Sequence, residues 1–232
     1  MQMSKKIAVV VGASGGIGAA FIEQLRMDNS FSEVIGLTRS GGFDIAKEDS
    51  IAKGASDLKK REVEIGLVIV ATGLLHRQEC RPEKSLRDLD ADWMAENYRV
   101  NAIGPALVAK HFLPLMPRRE RCFFAALSAR VGSISDNRLG GWHSYRASKS
   151  ALNMFIRNLS IEWQRKNPEA IITALHPGTV QTRLSEPFGG GKSAQGRFLP
   201  GDSAQRMLSV LYGLKPEHSG RIFAYDGQEI MP

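Results

Sequence analysis

Two side chains with complementary proton chemistry stand four residues apart in the second half of the chain. In the segment YRASK, Tyr145 and Lys149 fall on one face of a helix if the segment is helical. A free tyrosine, whose pKa is about 10, is a poor acid or base near neutrality. A neighbouring ammonium group stabilises the phenolate and is expected to lower that pKa. The pair therefore predicts a proton donor to a carbonyl oxygen, or a proton acceptor from an alcohol.

A glycine-rich stretch near the N-terminus has the pattern of a phosphate-binding turn. The strand-like run VVV leads into Gly12, Gly16 and Gly18, and a helical pattern follows. Such glycines permit a tight turn, let the backbone approach a pyrophosphate and let the helix pack against the strand. The free N–H groups at the start of the helix then face the phosphates. The stretch predicts a dinucleotide site that includes Gly12, Ser14, Gly15, Gly16, Ile17 and Gly18.

The residues after the second strand-like run distinguish between the two nicotinamide dinucleotides. Enzymes that prefer NAD place an acidic residue there to bind the ribose 2′-hydroxyl, and no acid occurs between Gly36 and Gly42. Arg39 offers a planar set of donors that suits a 2′-phosphate, and Ser40 can add a hydrogen bond. The sequence therefore favours NADP over NAD as the cofactor.

Short apolar runs rich in Val and Ile alternate with helical patterns along the chain. Runs of this kind are typical of parallel strands covered on both faces, and six strands are predicted: Ile7–Val11, Val34–Leu37, Leu67–Ala71, Cys122–Leu127, Ile171–Leu175 and Ile222–Tyr225. Helices are predicted around Ile17, Phe21 and Leu25, and over Asp92–Leu113, His143–Lys166 and Ser203–Tyr212. The order predicts an α/β fold, a Rossmann-type doubly wound parallel sheet with helices on both faces, in a single domain over residues 1–232.

Two further segments are expected to contact the substrate. Glu186–Pro200 is rich in Gly, Ser and Pro and follows the fifth strand, at the sheet edge where ligands bind in such folds. It is interpreted as a substrate lid, with an ordinary surface loop as the alternative. Leu74–Arg77, after the third strand, is the second segment expected to determine the substrate.

These motifs together resemble the short-chain dehydrogenase/reductase family, and the resemblance spans almost the whole chain. The first turn has that family's G-x-x-x-G-x-G spacing, and Y-x-x-x-K follows about 130 residues later. The tail GRIFAYDG and the stretch SISDNRLGGW resemble the branch that holds C-factor-type and sniffer-type carbonyl reductases. The resemblance implies an NAD(P)-dependent oxidoreductase that transfers hydride between nicotinamide and a small-molecule carbonyl or alcohol.

Several residues acquire a role only through this resemblance. It implies that Asn101 holds a water that links Lys149 to solvent, and that Lys149 also binds the nicotinamide ribose. Asp44 and Ile45 resemble the pair that contacts adenine. The segment HPGTVQT resembles the one that cradles the nicotinamide carboxamide, through Pro177, Gly178, Val180 and Thr182. The family's N-N-A-G segment here reads Val70-Ala71-Thr72-Gly73, so Ala71, Thr72 and Gly73 are expected to offer backbone contacts without the asparagine side chains.

The serine that polarises the substrate carbonyl in this family is displaced here. Ala129 stands in its usual position, and the run from there to Tyr145 is three residues longer than usual. Ser133 can swing into the site through a bent loop. Ser128 is one residue from the usual position and would face the other side of a regular strand. Both serines are candidates, and Ser133 is preferred.

Composition restricts the classes of partner. The net charge of +7 is scattered along the chain, so neither nucleic acid nor a membrane is expected as a partner. The two cysteines have no metal-ligand spacing, no apolar stretch reaches 18 residues, and no signal sequence is recognisable, so a cytoplasmic protein without a metal is expected. The family resemblance implies a homodimer or homotetramer. A non-catalytic dinucleotide-binding signalling protein is the alternative function, and nucleic-acid binding would rest on the charge alone.

Overall fold

The computed structural model describes residues 6–77, 80–186 and 197–232, and strands and helices alternate along them. The strands are β1 (Lys6–Val11), β2 (Glu33–Leu37), β3 (Glu64–Val70), β4 (Cys122–Leu127), β5 (Ala170–His176) and β6 (Ile222–Ala224). The helices are α1 (Gly16–Asp28), α2 (Glu48–Lys59), α3 (Ala91–Tyr98), α4 (Gly104–Phe112), α5 (His143–Gln164) and α6 (Pro200–Gly213). A π-helical segment, Arg99–Ile103, joins α3 to α4.

The strands form one parallel sheet in the order β2-β1-β3-β4-β5-β6. Val9 of β1 pairs with Ile35 of β2 on one side and with Val68 of β3 on the other. The strand order therefore reverses at β1. In doubly wound sheets a crevice opens at such a reversal, outside the carboxyl ends of the strands, and ligands bind there. This places the turn after β1 and the turn after β3 at the two sides of one crevice.

Helices cover both faces of the sheet and create two apolar cores. On one face, Phe21 of α1 and Leu211 of α6 pack against the strands and are fully buried. On the other face, Ile51 of α2, Phe112 of α4 and Leu152 of α5 are buried in the same way. Burial on both faces explains why the strands are continuous apolar runs rather than alternating ones. The Rossmann-type fold expected from the sequence is confirmed.

The structure differs from the predicted elements in two places, and a third prediction lies outside the described residues. Helix α2 was not predicted, because its buried residues Ile51, Ala55 and Leu58 lie in an otherwise charged segment. The predicted helix Asp92–Leu113 is α3, the π-helical segment and α4 in succession. Most of the predicted lid, residues 187–196, lies outside the described residues. No helix in the part of the chain that the structure describes is long and apolar enough to cross a membrane.

Candidate active site

The turn after β1 has the geometry expected for phosphate binding. Gly12 has φ +85°, and a Cβ there would lie 2.8 Å from the Thr72 Cγ2, so only glycine fits. Gly15 is the N-cap of α1, no side chain of the described residues caps the helix, and its first turn contains no acidic residue. The first N–H groups of α1 therefore remain available to an anion.

A cavity of about 680 Å³ extends from this turn along the carboxyl ends of β1, β2 and β3. Its volume is in the range of cofactor sites. Eleven of the predicted cofactor residues line it: Gly12, Ser14, Gly15, Gly16, Ile17, Arg39, Ile45, Ala71, Thr72, Gly73 and Thr182. We call this cavity the dinucleotide groove. The groove thus brings together the turn after β1 and the segment after β5, which are far apart in the sequence.

The other predicted cofactor residues do not form the groove wall. Gly18 packs α1 against the preceding turn, and the Ser40 hydroxyl lies 3.2 Å from the Thr38 hydroxyl. Asp44 accepts a hydrogen bond from the Ala46 N–H and lines a neighbouring cavity. The segment after β5 is bound by its own contacts: the Pro177 carbonyl accepts from Ser203, Gly178 packs near Tyr225 and Phe198, and Val180 pairs with Phe198. Their roles in binding the cofactor remain predictions.

The groove offers polar groups that lack partners within the described residues. The Thr72 hydroxyl is buried and has no hydrogen-bond partner in the described residues. Arg39 is exposed, and no ion pair engages its guanidinium within the same residues. Together with the uncapped start of α1, these groups fit a ligand that carries several phosphates. Apolar walls from Phe43, Ile45 and Val100 suit an aromatic base.

Sequence reasoning missed several residues of the groove wall. Phe43, Val100, Arg183 and Leu184 line it but belong to no recognised motif. Each is adjacent to a predicted residue or follows one closely: Phe43 precedes Asp44, Val100 precedes Asn101, and the other two follow Thr182. A search of the neighbours of each predicted contact would have found them.

The structure brings Tyr145 and Lys149 together on the inward face of α5, as the spacing predicts. Both side chains are buried. The Lys149 Nζ lies 5.7 Å from the centre of the Tyr145 ring and donates a hydrogen bond of 2.7 Å to the Leu127 carbonyl at the end of β4. The Tyr145 ring packs edge-on against Trp142. Within the described residues, no group hydrogen-bonds to the Tyr145 hydroxyl, so it is free to meet a substrate.

Burial dominates the proton equilibria of this pair. It raises the pKa of Tyr145 to about 12 and lowers the pKa of Lys149 to about 7. The expectation that Lys149 lowers the pKa of Tyr145 is therefore wrong for this structure. The physical reason is that the ammonium hydrogen-bonds to Leu127 and lies over the ring, while burial disfavours the charged form of each group. At neutral pH the phenol keeps its proton, which suits a proton donor.

Asn101 connects the groove to α5. It is fully buried in the π-helical segment, and its side chain exchanges two hydrogen bonds of 2.8 Å with the backbone of Leu74. Its Nδ2 also donates to the Ser148 hydroxyl at 3.1 Å, and that hydroxyl donates to the Tyr145 carbonyl. Single π-turns inside helices often mark functional positions. Asn101 therefore couples the loop after Gly73 to the helix that carries Tyr145, and its predicted water remains a prediction.

The structure places the two candidate serines on different sides of α5. The Ser128 hydroxyl donates 2.7 Å to the Asn153 Oδ1, and Asn153 lies one turn after Lys149 on the same face. Ser133 lines a second cavity of about 520 Å³ with His143, Ala147 and Ser150 of α5. At 3.6 residues per turn, those residues face away from Tyr145. Ser133 thus lines a cavity on the side of α5 that faces away from Tyr145, and which of the two serines acts remains a prediction.

Comparisons with known proteins identify the family of the chain. A family model described as short chain dehydrogenase matches residues 38–191. C-signal of Myxococcus xanthus is 41% identical over 148 residues, which cover 63% of this chain and 82% of that protein. The 1-hydroxy-2-glutathionyl-2-methyl-3-butene dehydrogenase of Rhodococcus sp. (strain AD45) is 29% identical over 230 residues, 94% of this chain and 96% of that protein.

Solved structures with the same fold extend over the whole chain. The NADPH-bound carbonyl reductase from chicken fatty liver superposes with a TM-score of 0.84 at 24% identity and covers 99% of this chain and 100% of that one. At this identity the likeness shows the fold alone. The identity to C-signal agrees with the resemblance of the sequence to the C-factor-type and sniffer-type branch of the family.

Proposed function

The chain belongs to the short-chain dehydrogenase family and is an NAD(P)-dependent oxidoreductase, and from this premise we propose that it is an NADP-dependent carbonyl reductase acting on a small molecule. The observation that carries the proposal is the buried pair of Tyr145 and Lys149, joined to the wall of the dinucleotide groove through Asn101. The phenol is protonated at neutral pH, and its hydroxyl has no partner within the described residues. These are the properties required of a general acid.

Each group of residues in the site has a separate role in the proposed reaction. The dinucleotide groove would hold NADPH, which when bound would supply the hydride for the substrate carbonyl carbon. The start of α1 binds the pyrophosphate, and Arg39 pairs with the 2′-phosphate. Tyr145 donates its phenolic proton to the carbonyl oxygen, so that hydride and proton together convert C=O into CH–OH. Lys149, whose Nζ lies over the Tyr145 ring, returns a proton to the phenolate that remains, and Asn101 links this pair toward solvent.

Ser128 is the better candidate for orienting the substrate carbonyl. Its hydroxyl already lies on the face of α5 that carries Lys149 and Asn153. To act, it must exchange its hydrogen bond to Asn153 for one to the substrate oxygen. Ser133 lines the second cavity rather than the dinucleotide groove, and its hydroxyl already accepts the Asp136 N–H at 3.1 Å.

The preference for NADP over NAD rests on Arg39. Its guanidinium lines the groove without an ion-pair partner in the described residues, and no acidic side chain lines the same cavity within them. A guanidinium binds a phosphate through two parallel hydrogen bonds, whereas it gains little from a ribose hydroxyl.

We also propose that two copies of the chain associate through α4 and α5. Large apolar side chains remain exposed on α5 and directly before α4, namely Met154, Phe155 and Ile161 on α5 and Ile103 at the end of the π-helical segment. A patch of this kind marks a protein interface, and a two-fold axis would place each patch against its copy. Light scattering at micromolar concentration is expected to give a dimer or a tetramer, and a monomer contradicts the proposal.

The second candidate function is a dinucleotide-binding signalling protein without catalysis. Two observations favour it: the 41% identity to a protein named C-signal, and Ala129 in the position of the usual serine. The discriminating experiment measures NADPH affinity by fluorescence and NADPH oxidation with phenanthrenequinone and nitrobenzaldehyde. Turnover that is lost in Tyr145→Phe supports the reductase. Tight NADPH binding without turnover of either compound supports the second candidate.

A further inference from the structure

A buried carboxylate contacts the start of the helix that carries Tyr145. Glu83 is only 2% exposed and lies in the segment after β3, 61 positions before Ser144. Its Oε2 accepts the Ser144 N–H at 3.3 Å, and the Ser144 hydroxyl donates to its Oε1. The Glu83 carbonyl accepts the Trp142 N–H at 2.6 Å. One residue thus binds the N-terminus of α5 through both its side chain and its backbone.

The sequence at the start of α5 provides no cap of its own. The N-cap residue is Trp142, which has φ 51° and makes no side-chain hydrogen bond to the helix. Gly140 and Gly141 before it have φ 62° and 64°, so three consecutive residues adopt the left-handed conformation. The first N–H groups of a helix need an acceptor, and its positive end favours an anion. Glu83 supplies this acceptor from a distant part of the chain.

The charge on Glu83 is compensated by the helix rather than by a cation. No ion pair involves Glu83 within the described residues, although the carboxylate is buried. A buried charge requires hydrogen bonds to offset its lost hydration, and here Ser144 provides two. Because removal of the carboxylate would leave these donors unsatisfied, the first turn of α5 would shift or fray.

Ser144 immediately precedes Tyr145, so the contact acts on the turn from which the phenol projects. We propose that Glu83 is a positioning residue: it fixes the first turn of α5 so that the Tyr145 hydroxyl meets the substrate carbonyl at the distance needed for proton transfer. The proposal rests on the proposed function of Tyr145. Glu83 does not line the dinucleotide groove, so its effect falls on the proton-transfer step and leaves cofactor binding unchanged.

The test compares Glu83→Gln, Glu83→Ala and Ser144→Ala in the full chain, with NADPH and phenanthrenequinone as substrates. A displacement of about 1 Å can cost roughly 10²-fold in rate, so kcat is expected to fall roughly 10- to 100-fold, most in Glu83→Ala. The KM for NADPH is expected to stay within twofold of wild type. Hydrogen–deuterium exchange of the peptide that contains Ser144 and Tyr145 is expected to accelerate, a readout that needs no turnover. If Glu83→Ala does not fold, the measurements on Ser144→Ala and Glu83→Gln decide the test.

Asp88→Ala is the matched control. Asp88 lies in the same segment and accepts the Lys84 and Ser85 N–H groups at 2.9 and 3.0 Å, where it caps a short 3₁₀ helix that does not carry Tyr145. Its kcat is expected to remain within twofold of wild type. The proposal is overturned if Ser144→Ala and Glu83→Gln keep both kcat and the hydrogen–deuterium exchange rate at wild-type values. It is also overturned if a higher KM for NADPH accounts for the activity that these variants lose. Activity retained in Tyr145→Phe would instead overturn the proposed function.

Discussion

Replacing Arg39 with Asp tests how the groove recognises its cofactor. Arg39 lines the groove, and within the described residues no carboxylate engages it. A charge-assisted hydrogen bond contributes about 1.5–3 kcal/mol, and the lower end applies because Arg39 is exposed and solvent screens it. That corresponds to roughly tenfold in NADPH affinity. The introduced carboxylate also repels the 2′-phosphate and accepts a hydrogen bond from the ribose of NADH, so the preference should shift roughly 10- to 100-fold toward NADH.

The assay is a titration of wild type and Arg39→Asp with NADPH and NADH, followed by nucleotide fluorescence at low and high salt. Arg26→Asp is the control, because Arg26 is exposed in the last turn of α1 and the substitution changes the net charge equally. Its ratio of the two Kd values is expected to match wild type. The reasoning is refuted if wild type binds NADH as tightly as NADPH, or if Arg26→Asp shifts the ratio as much as Arg39→Asp.

Two further predictions concern the proton-transfer site. Ser128→Ala is expected to lower kcat roughly 10²-fold while Ser133→Ala stays near wild type, because, of the two serines, Ser128 lies on the Lys149 side of α5. Steady-state kinetics with phenanthrenequinone measures both values. The opposite result would restore Ser133 as the catalytic serine. Lys149→Met tests the buried ammonium. The pKa of Lys149 falls from 10.5 when free to about 7 in the fold, so above pH 7 the unfolded chain holds the extra proton and stability rises with pH. Between pH 7 and pH 9, urea unfolding is expected to show that the free energy of unfolding of wild type rises by about 2 kcal/mol more than that of Lys149→Met. An equal pH response in both proteins would show that burial does not destabilise this ammonium.

The parts of the fold that depend on local pattern could be predicted from the sequence. Fully buried strands are continuous apolar runs, so β1 and β4 stand out, and the glycines of the first turn follow from the backbone path that a phosphate requires. The Tyr145 and Lys149 pair follows from helical spacing alone. The segment over Asp92–Leu113 was predicted as helical, but its π-helical turn was not, because no residue type marks one.

The remaining features depend on contacts between distant residues. Glu83 contacts α5 across 61 positions, and Ser133 lines the same cavity as the left-handed Gly140 and Gly141. The direction of the Tyr145 pKa shift depends on burial, which spacing does not reveal. These contacts are set by tertiary packing, so the sequence could name Ser133 and Tyr145 as candidates but could neither arrange them nor identify Glu83.

The most direct test of the central claim is the turnover of Tyr145→Phe on a carbonyl compound that the wild type reduces. The substitution keeps the ring against Trp142 and removes a hydroxyl that has no partner within the described residues, so the thermal unfolding temperature and the Kd for NADPH should change little. Loss of a positioned general acid predicts a kcat lower by roughly 10²–10⁴-fold. A Tyr145→Phe protein that binds NADPH normally and retains near-wild-type kcat would contradict the assignment of Tyr145 as the proton donor.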